Sequence, residues 1–153
     1  MARQPMTNTA RLEPGRPLTA KHIYLRLRRA RAMIDGRYDH PLNLDQLARE
    51  AGFSRYHFIR LFRQAYRQTP HQYLTRKRIE KAKELLADEA LSVTEVCLAV
   101  GFQSLGSFST LFHKYVGQSP QRYRLLLIAR RKYVPACFLI MAGIEVSPGA
   151  GPK

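Results

Sequence analysis

The chain has 153 residues, of which 26 are Lys or Arg and 11 are Asp or Glu, a formal charge of +15. That length suits one compact domain or two very small ones sharing a helix, and that charge favours a polyanionic partner, nucleic acid ahead of an anionic membrane surface. Cys97 and Cys137 lie far apart with no His or Cys at ligand spacing, "MARQPMTNTARLEPGRPL" lacks an apolar run, and "VPACFLIMAGI" is too short to span a bilayer, so the reading is a reduced cytoplasmic chain without metal site, secretory signal or membrane anchor.

Residues 1–20 mix Pro, Gly, Thr and Arg without periodicity and read as a flexible lead-in. A first helix is expected from near His22 to Asp35, ended by Gly36. In "NLDQLAREAG", Asn43 can cap a short helix, with Gln46 at the reciprocal capping position. Leu44, Leu47, Ala48 and Ala51 form its buried stripe, and Gly52 closes it. Ser54 then caps a helix whose inner face is Phe58, Leu61, Phe62 and Ala65, spaced i, i+3, i+4, i+7.

"TPHQYLTRKRIEKAKELLADE" opens with Thr69 as cap and Pro70 at the first helical position, where its missing N–H costs nothing. Ile79, Ala82, Leu85 and Leu86 keep one face apolar over about five turns. Ser92 and Glu95 make an S-x-x-E capping box, Val96, Cys97 and Val100 are expected to be buried, and Gly101 ends that short helix. Ser104 caps the next one, with Phe108, Leu111, Phe112 and Tyr115 inward, and Ser119–Pro120 starts a last helix to about Ile128.

The chain says the same thing twice. Ser54/Ser104, Phe58/Phe108, Leu61/Leu111, Phe62/Phe112, Gln68/Gln118, Pro70/Pro120 and Tyr73/Tyr123 match at one offset. Gly52/Gly101 and Phe53/Phe102 match at an offset one shorter, making Gln103 a one-residue insertion in the turn. No β-branched alternation suggests a sheet, so the predicted fold is all-α. It has two helix-turn-helix units, 21–68 and 89–128, joined by a long helix over 69–88 and followed by a tail, 129–153.

In a helix-turn-helix the first short helix braces a second that can enter the major groove, and the tight turn between them wants Gly, an apolar residue and a capping Ser. A helical hairpin in an ordinary bundle uses the same caps and stripe. Two basic-flanked copies on one linker favour DNA. About eighteen helical residues span about 27 Å, on the scale of the roughly 34 Å repeat between major-groove faces, so a monomer could address successive grooves.

"LAREAGFSRYHFIRLFRQAYRQTPHQYLTRKRIEKAKELL" followed by "SVTEVCLAVGFQSLGSFSTLFHKYVGQSPQRYR" resembles the DNA-binding domain of the AraC/XylS transcription regulators, over about residues 30–125. The resemblance implies a two-lobed fold of about seven helices and sequence-specific promoter binding. The chain leaves no room for the effector domain usual in that family, which makes it similar to the stand-alone, MarA-like members. The resemblance places base contacts at Tyr56, Ile59 and Arg60. At Arg67 the chain departs from the family, where Gly commonly ends the helix.

Tyr56, Ile59, Arg60 and Arg63 form the stripe opposite the first core. Arg60 can present two donors to guanine, and Ile59 or Tyr56 can meet a thymine methyl or the sugar wall. Arg55, Arg63 and Arg67 suit phosphates. The second helix turns out Leu105, Gly106, Ser109, Thr110 and His113, a bare face. Small residues allow close approach, with Leu105 or Thr110 against a thymine methyl and Ser109 beside them, but offer few discriminating hydrogen bonds. The expected halves are therefore unequal: the first reads bases, while the second positions the protein through Gln103, Ser104, Ser107, His113 and Lys114. A bare face packed on a partner would look the same.

An enzyme has little support. His22, His40, His57, His71 and His113 are scattered, no Gly-rich phosphate loop follows a strand, and no cofactor or catalytic residue is indicated. "RLLLIARRKYVPACFLIMAGI" combines basic and apolar residues and could face RNA polymerase, a second copy or the last helix. RNA is the nearest chemical rival to DNA, without an aromatic platform to serve it.

Overall fold

The computed structural model describes residues 19–132, together with 141 and 143. Seven helices and no strand occur among them: α1 (Ala20–Gly36), α2 (Leu44–Glu50), α3 (Arg55–Tyr66), α4 (Pro70–Leu85), α5 (Val93–Ala99), α6 (Leu105–Val116) and α7 (Pro120–Lys132). The lead-in before Thr19 and most of the tail lie outside the described residues.

Polar side chains start six of these helices in one way. The hydroxyl or amide oxygen of Thr19, Asn43, Ser54, Thr69, Ser92 and Ser104 accepts the backbone N–H three residues on. At α7, Ser119 Oγ accepts from Arg122 N at 3.3 Å. Reciprocal boxes close at Thr69–Gln72 and Ser92–Glu95, where hydrogen bonding from Ser92 holds the Glu95 carboxyl below the usual carboxylate range. The expected box at Asn43 forms only by half. Gln46 Nε2 donates instead to Glu50 Oε1 at 3.0 Å, one turn along the helix.

Two apolar clusters result. Leu27, Ala30 and Ile34 of α1 enclose Leu47, Ala48, Ala51, Phe58, Phe62 and Leu74. Ile79, Ala82 and Leu86 enclose Val96, Cys97, Val100, Phe102, Phe108 and Phe112. The second list matches the first beyond the repeat seen in the sequence, because Leu27/Ile79, Ala30/Ala82 and Ile34/Leu86 also correspond, at an offset of their own. α1 and α4 are therefore equivalent first helices of two three-helix units. α4 additionally gives Leu74 to the first core, so one helix of 16 residues, about 24 Å, belongs to both. Burial pushes the Cys97 thiol above its ordinary pKa, consistent with an inert core side chain.

Four helix-level expectations need correction. Ala65 and Tyr115 point to solvent, and Tyr66 and Val116 pack on the cores in their place. Gly36 is the last residue of α1, which begins earlier than expected, at Ala20, and Arg37 caps it with negative φ. α7 continues past Ile128 to Lys132.

The first unit carries a polar brace the second lacks. The Arg31 guanidinium lies 5.3 Å from the ring centres of both Tyr66 and Tyr73 and donates to Tyr73 Oη at 2.9 Å, while that hydroxyl donates to Asp35 Oδ1 at 2.8 Å. The matching positions in the second unit are Lys83, Ala87, Val116 and Tyr123.

Both turns use glycine at positive φ, Gly52 at 71° and Gly101 at 87°, as tight reversals demand. α6 ends at Gly117 with φ 83°, but α3 ends at Arg67 with φ 59°, its N–H bonded to Arg63 O. A β-carbon in this left-handed region costs about 1–2 kcal/mol, less the flexibility glycine brings to the unfolded chain. Arg67→Gly is therefore expected to stabilise the protein by about 0.5–1 kcal/mol, measured by denaturant titration. An unchanged or lower stability would count against strain at this cap.

Candidate nucleic-acid interface

Each buried Phe pair orients one helix. Phe58 and Phe62 lie one turn apart on α3 with ring centres at 5.7 Å, and Phe108 and Phe112 on α6 at 5.6 Å; all four are fully buried. Anchoring residues i and i+4 fixes rotation about the helix axis, so what lies opposite must face water.

On α3 that opposite face carries Tyr56, which is 77% exposed, with Arg60 and Arg63 also exposed. Ile59 sits at the edge of the stripe, partly buried. Arg67 is exposed just past the helix end. Among the described residues, Arg60, Arg63 and Arg67 form no ion pair. Arg55 does, donating from Nη1 to Asp45 Oδ2 at 3.4 Å; both partners are more than half exposed, and such a pair is weak and easily exchanged for a phosphate. His57 stands edge-on to Phe53 at 5.4 Å, a packing role.

On α6 Leu105, Gly106, Ser107, Thr110, His113, Lys114 and Tyr115 are exposed, with Gln103 exposed in the preceding turn. Ser109, the counterpart of Ile59, is partly buried. A β-carbon built on Gly106 meets nothing within 4 Å, so at this position the bare face is open among the described residues. Ser104 Oγ accepts Ser107 N–H at 3.2 Å and donates to Ser107 Oγ at 2.9 Å, leaving the Ser107 proton free to point outward. The structure thus brings the predicted residues onto the outer faces of two equivalent helices, Ile59 and Ser109 at the margins.

One electrostatic signal was missed by reading motifs. No acidic residue occurs between Glu50 and Glu80, nor between Glu95 and Glu145. Both outward helices and the helices that follow their turns at Pro70 and Pro120 start free of carboxylates, while the acids of the described residues lie at the end of α1, before and on α2, at the end of α4, in the segment after it and on α5. That segregation produces a face of one sign, the form that steers and holds a polyanion. Among the described residues, no cluster of His, Cys, Asp and Glu could hold a metal ion, and no helix is long and apolar enough to cross a membrane.

Comparison with known proteins agrees with this geometry. A family model described as a helix-turn-helix domain matches residues 47–125, more than half of the chain. The chain is 31% identical over 116 residues to the melibiose operon regulatory protein of Escherichia coli K12, covering 76% of this chain and 38% of that protein, so it spans about two-fifths of that relative's length. It is 30% identical to the regulatory protein SoxS of the same organism, covering 61% of this chain and 87% of SoxS. The crystal structure of the DNA-binding domain of AdpA, in complex with a target DNA, matches 69% of this chain and 96% of its own, with 32% identity and a TM-score of 0.65. A seven-helix architecture built from one duplicated unit, with this agreement in sequence over both copies, places the chain in the AraC-type helix-turn-helix family of transcription regulators.

Proposed function

We propose that the protein is a sequence-specific regulator that binds promoter DNA as a monomer, with α3 and α6 entering neighbouring major grooves on one side of the duplex. The observation that carries this reading is the pair of carboxylate-free outer faces, each fixed by a buried Phe pair and both built on α4. The AdpA complex supports it, since a domain of the same architecture is held there by target DNA. In this reading 21–68 and 89–128 are the two binding units and 69–88 is the spacer. Because one chain carries both units, the site is asymmetric and needs no second copy.

The two faces divide the work. On α3, Tyr56, Ile59 and Arg60 meet base edges while Arg55, Arg63 and Arg67 grip phosphates. On α6, Leu105, Ser109 and Thr110 bring a nearly bare backbone close to the bases, and Gln103, Ser104, Ser107, His113 and Lys114 hold the sugar-phosphate chain. RNA polymerase enters the proposal as the partner of a regulator already seated on its promoter.

Selection of bound duplexes from a random pool, repeated across salt, tests the proposal. The expected product is an asymmetric motif about two helical turns long, with more information in the half contacted by α3. Equal information in both halves would remove the division of labour, and no motif with a flat salt response would remove DNA reading altogether. Arg60→Ala is expected to cost about 1–3 kcal/mol and to relax preference at one base pair. Lys114→Ala is expected to weaken all sequences alike and to lower the salt slope by about one. Gly106→Ala should raise helix stability by about 0.5–1 kcal/mol while weakening DNA binding, because its methyl group holds the backbone away. A gain in both thermal stability and affinity would show that α6 does not approach closely.

A further inference from the structure

Each unit begins with an arginine one residue before its first core side chain: Arg26 before Leu27 in α1, and Arg78 before Ile79 in α4. Each lies over the phenylalanine of its own turn, Arg26 at 5.8 Å from the Phe53 ring centre and Arg78 at 5.5 Å from that of Phe102. There the equivalence stops. Arg26 keeps to its own unit, reaching only Ala51 O at 3.5 Å. Arg78 crosses to the other, donating from Nε to Tyr38 O at 2.6 Å and from Nη2 to His40 O at 2.8 Å.

Both acceptors lie in the irregular segment between α1 and α2, where carbonyls have no helix to satisfy them. The same segment touches the second unit directly. A β-carbon on Gly101 would stand 2.5 Å from Asp39 O and 2.7 Å from Asp39 C. At Gly52, the matching glycine, a β-carbon would meet only the end of the flexible Arg26 side chain. The two units therefore meet backbone to backbone at Gly101 and Asp39, with a planar guanidinium wedged beside them.

We propose that Arg78 is a positioning residue: by binding the 38–40 carbonyls of the first unit while covering Phe102 of the second, it sets the angle and distance between α3 and α6. Its two backbone acceptors are oriented by the forked guanidinium, a restraint a point charge cannot supply. The continuous helix α4 alone would leave bending at its middle unopposed; the side clamp removes that freedom. Which half-site spacing the protein accepts then depends on a residue that touches no DNA, a consequence resting on the functional reading above.

The clamp itself is tested without DNA. Spin labels at Gln64→Cys on α3 and Tyr115→Cys on α6, with Cys137→Ser, report the distance distribution between the two helices by pulsed dipolar spectroscopy. A narrow distribution is expected for the parent protein, and a broader or displaced one for Arg78→Ala. Gly101→Ala should displace it as well, while Gly52→Ala, which shares the positive-φ cost, should not. Unchanged distances in Arg78→Ala would overturn the proposal, whatever Gly101→Ala does.

The DNA arm compares a selected site with the same site carrying one extra base pair between its halves. In Arg78→Ala the affinity ratio between the two should shrink by roughly threefold or more, with binding to an isolated α3 half-site unchanged within about twofold. Loss of half-site binding in step with full-site binding would mean simple unfolding of a unit and would also refute positioning. If no DNA sequence is selected, the distance measurement still decides the clamp.

Discussion

One helix serving two cores is the constraint on which the rest depends. α4 gives Leu74 to the first cluster and Ile79 and Ala82 to the second, with Leu86 at its C-cap joining them; Leu74 and Ile79 are less than a turn and a half apart along the same rod. Neither unit is large enough to bury much surface by itself, and units of this size are marginal alone. Sharing a helix lets each unit complete its core with side chains whose backbone is already ordered by the other. It also places a hydrogen-bonded helix between the outer faces where a flexible linker would otherwise stand, leaving only bending of that helix for side contacts to restrain.

The outer faces are consequences of what the inner faces bury. Phe58, Phe62, Phe108 and Phe112 occupy the same places in the two cores, and each pair prescribes which residues of its helix are left for solvent. The two copies nevertheless differ on the surface. α3 carries Tyr56, Arg60 and Arg63, rich in reach and in donors, whereas α6 presents Gly106 and Thr110. Placing acids on the bracing helices and on the end of α4 leaves these faces positive without weakening the cores.

The units also differ in how they are braced. Arg31, Tyr66, Tyr73 and Asp35 connect α1, α3 and α4 in the first, Arg31 stacking on both rings and Tyr73 Oη donating to Asp35; burial raises the pKa of both tyrosines, and the buried Tyr66 hydroxyl meets no hydrogen-bond partner among the described residues. The second relies on apolar contact, Val116 standing where the first has Tyr66. The polar brace adds directional restraint to the unit whose face is richer in side chains able to discriminate bases. Arg67, held at positive φ, adds charge beside that face at a site where glycine would be easier to fold.

Caps, turns and the repeat were legible in the sequence because each is local: a hydroxyl three residues from an orphan N–H, a glycine at a reversal, an apolar stripe at helical spacing. The same local signals named the outward residues of α3 and α6 and the family they resemble. They failed at Ala65 and Tyr115, which lie on the apolar stripe by spacing yet face solvent in the last turn of their helices, where the packing of neighbouring helices brings Tyr66 and Val116 onto the cores. They also missed that α1 repeats α4, since Leu27, Ala30 and Ile34 match Ile79, Ala82 and Leu86 in pattern but at an offset of their own. What only the folded chain decided is where long side chains go once elements meet. Arg26 and Arg78 hold equivalent places in the sequence, yet only Arg78 has another unit's carbonyls within reach, because a hydrogen bond between residues forty apart exists only after the two cores have set their separation.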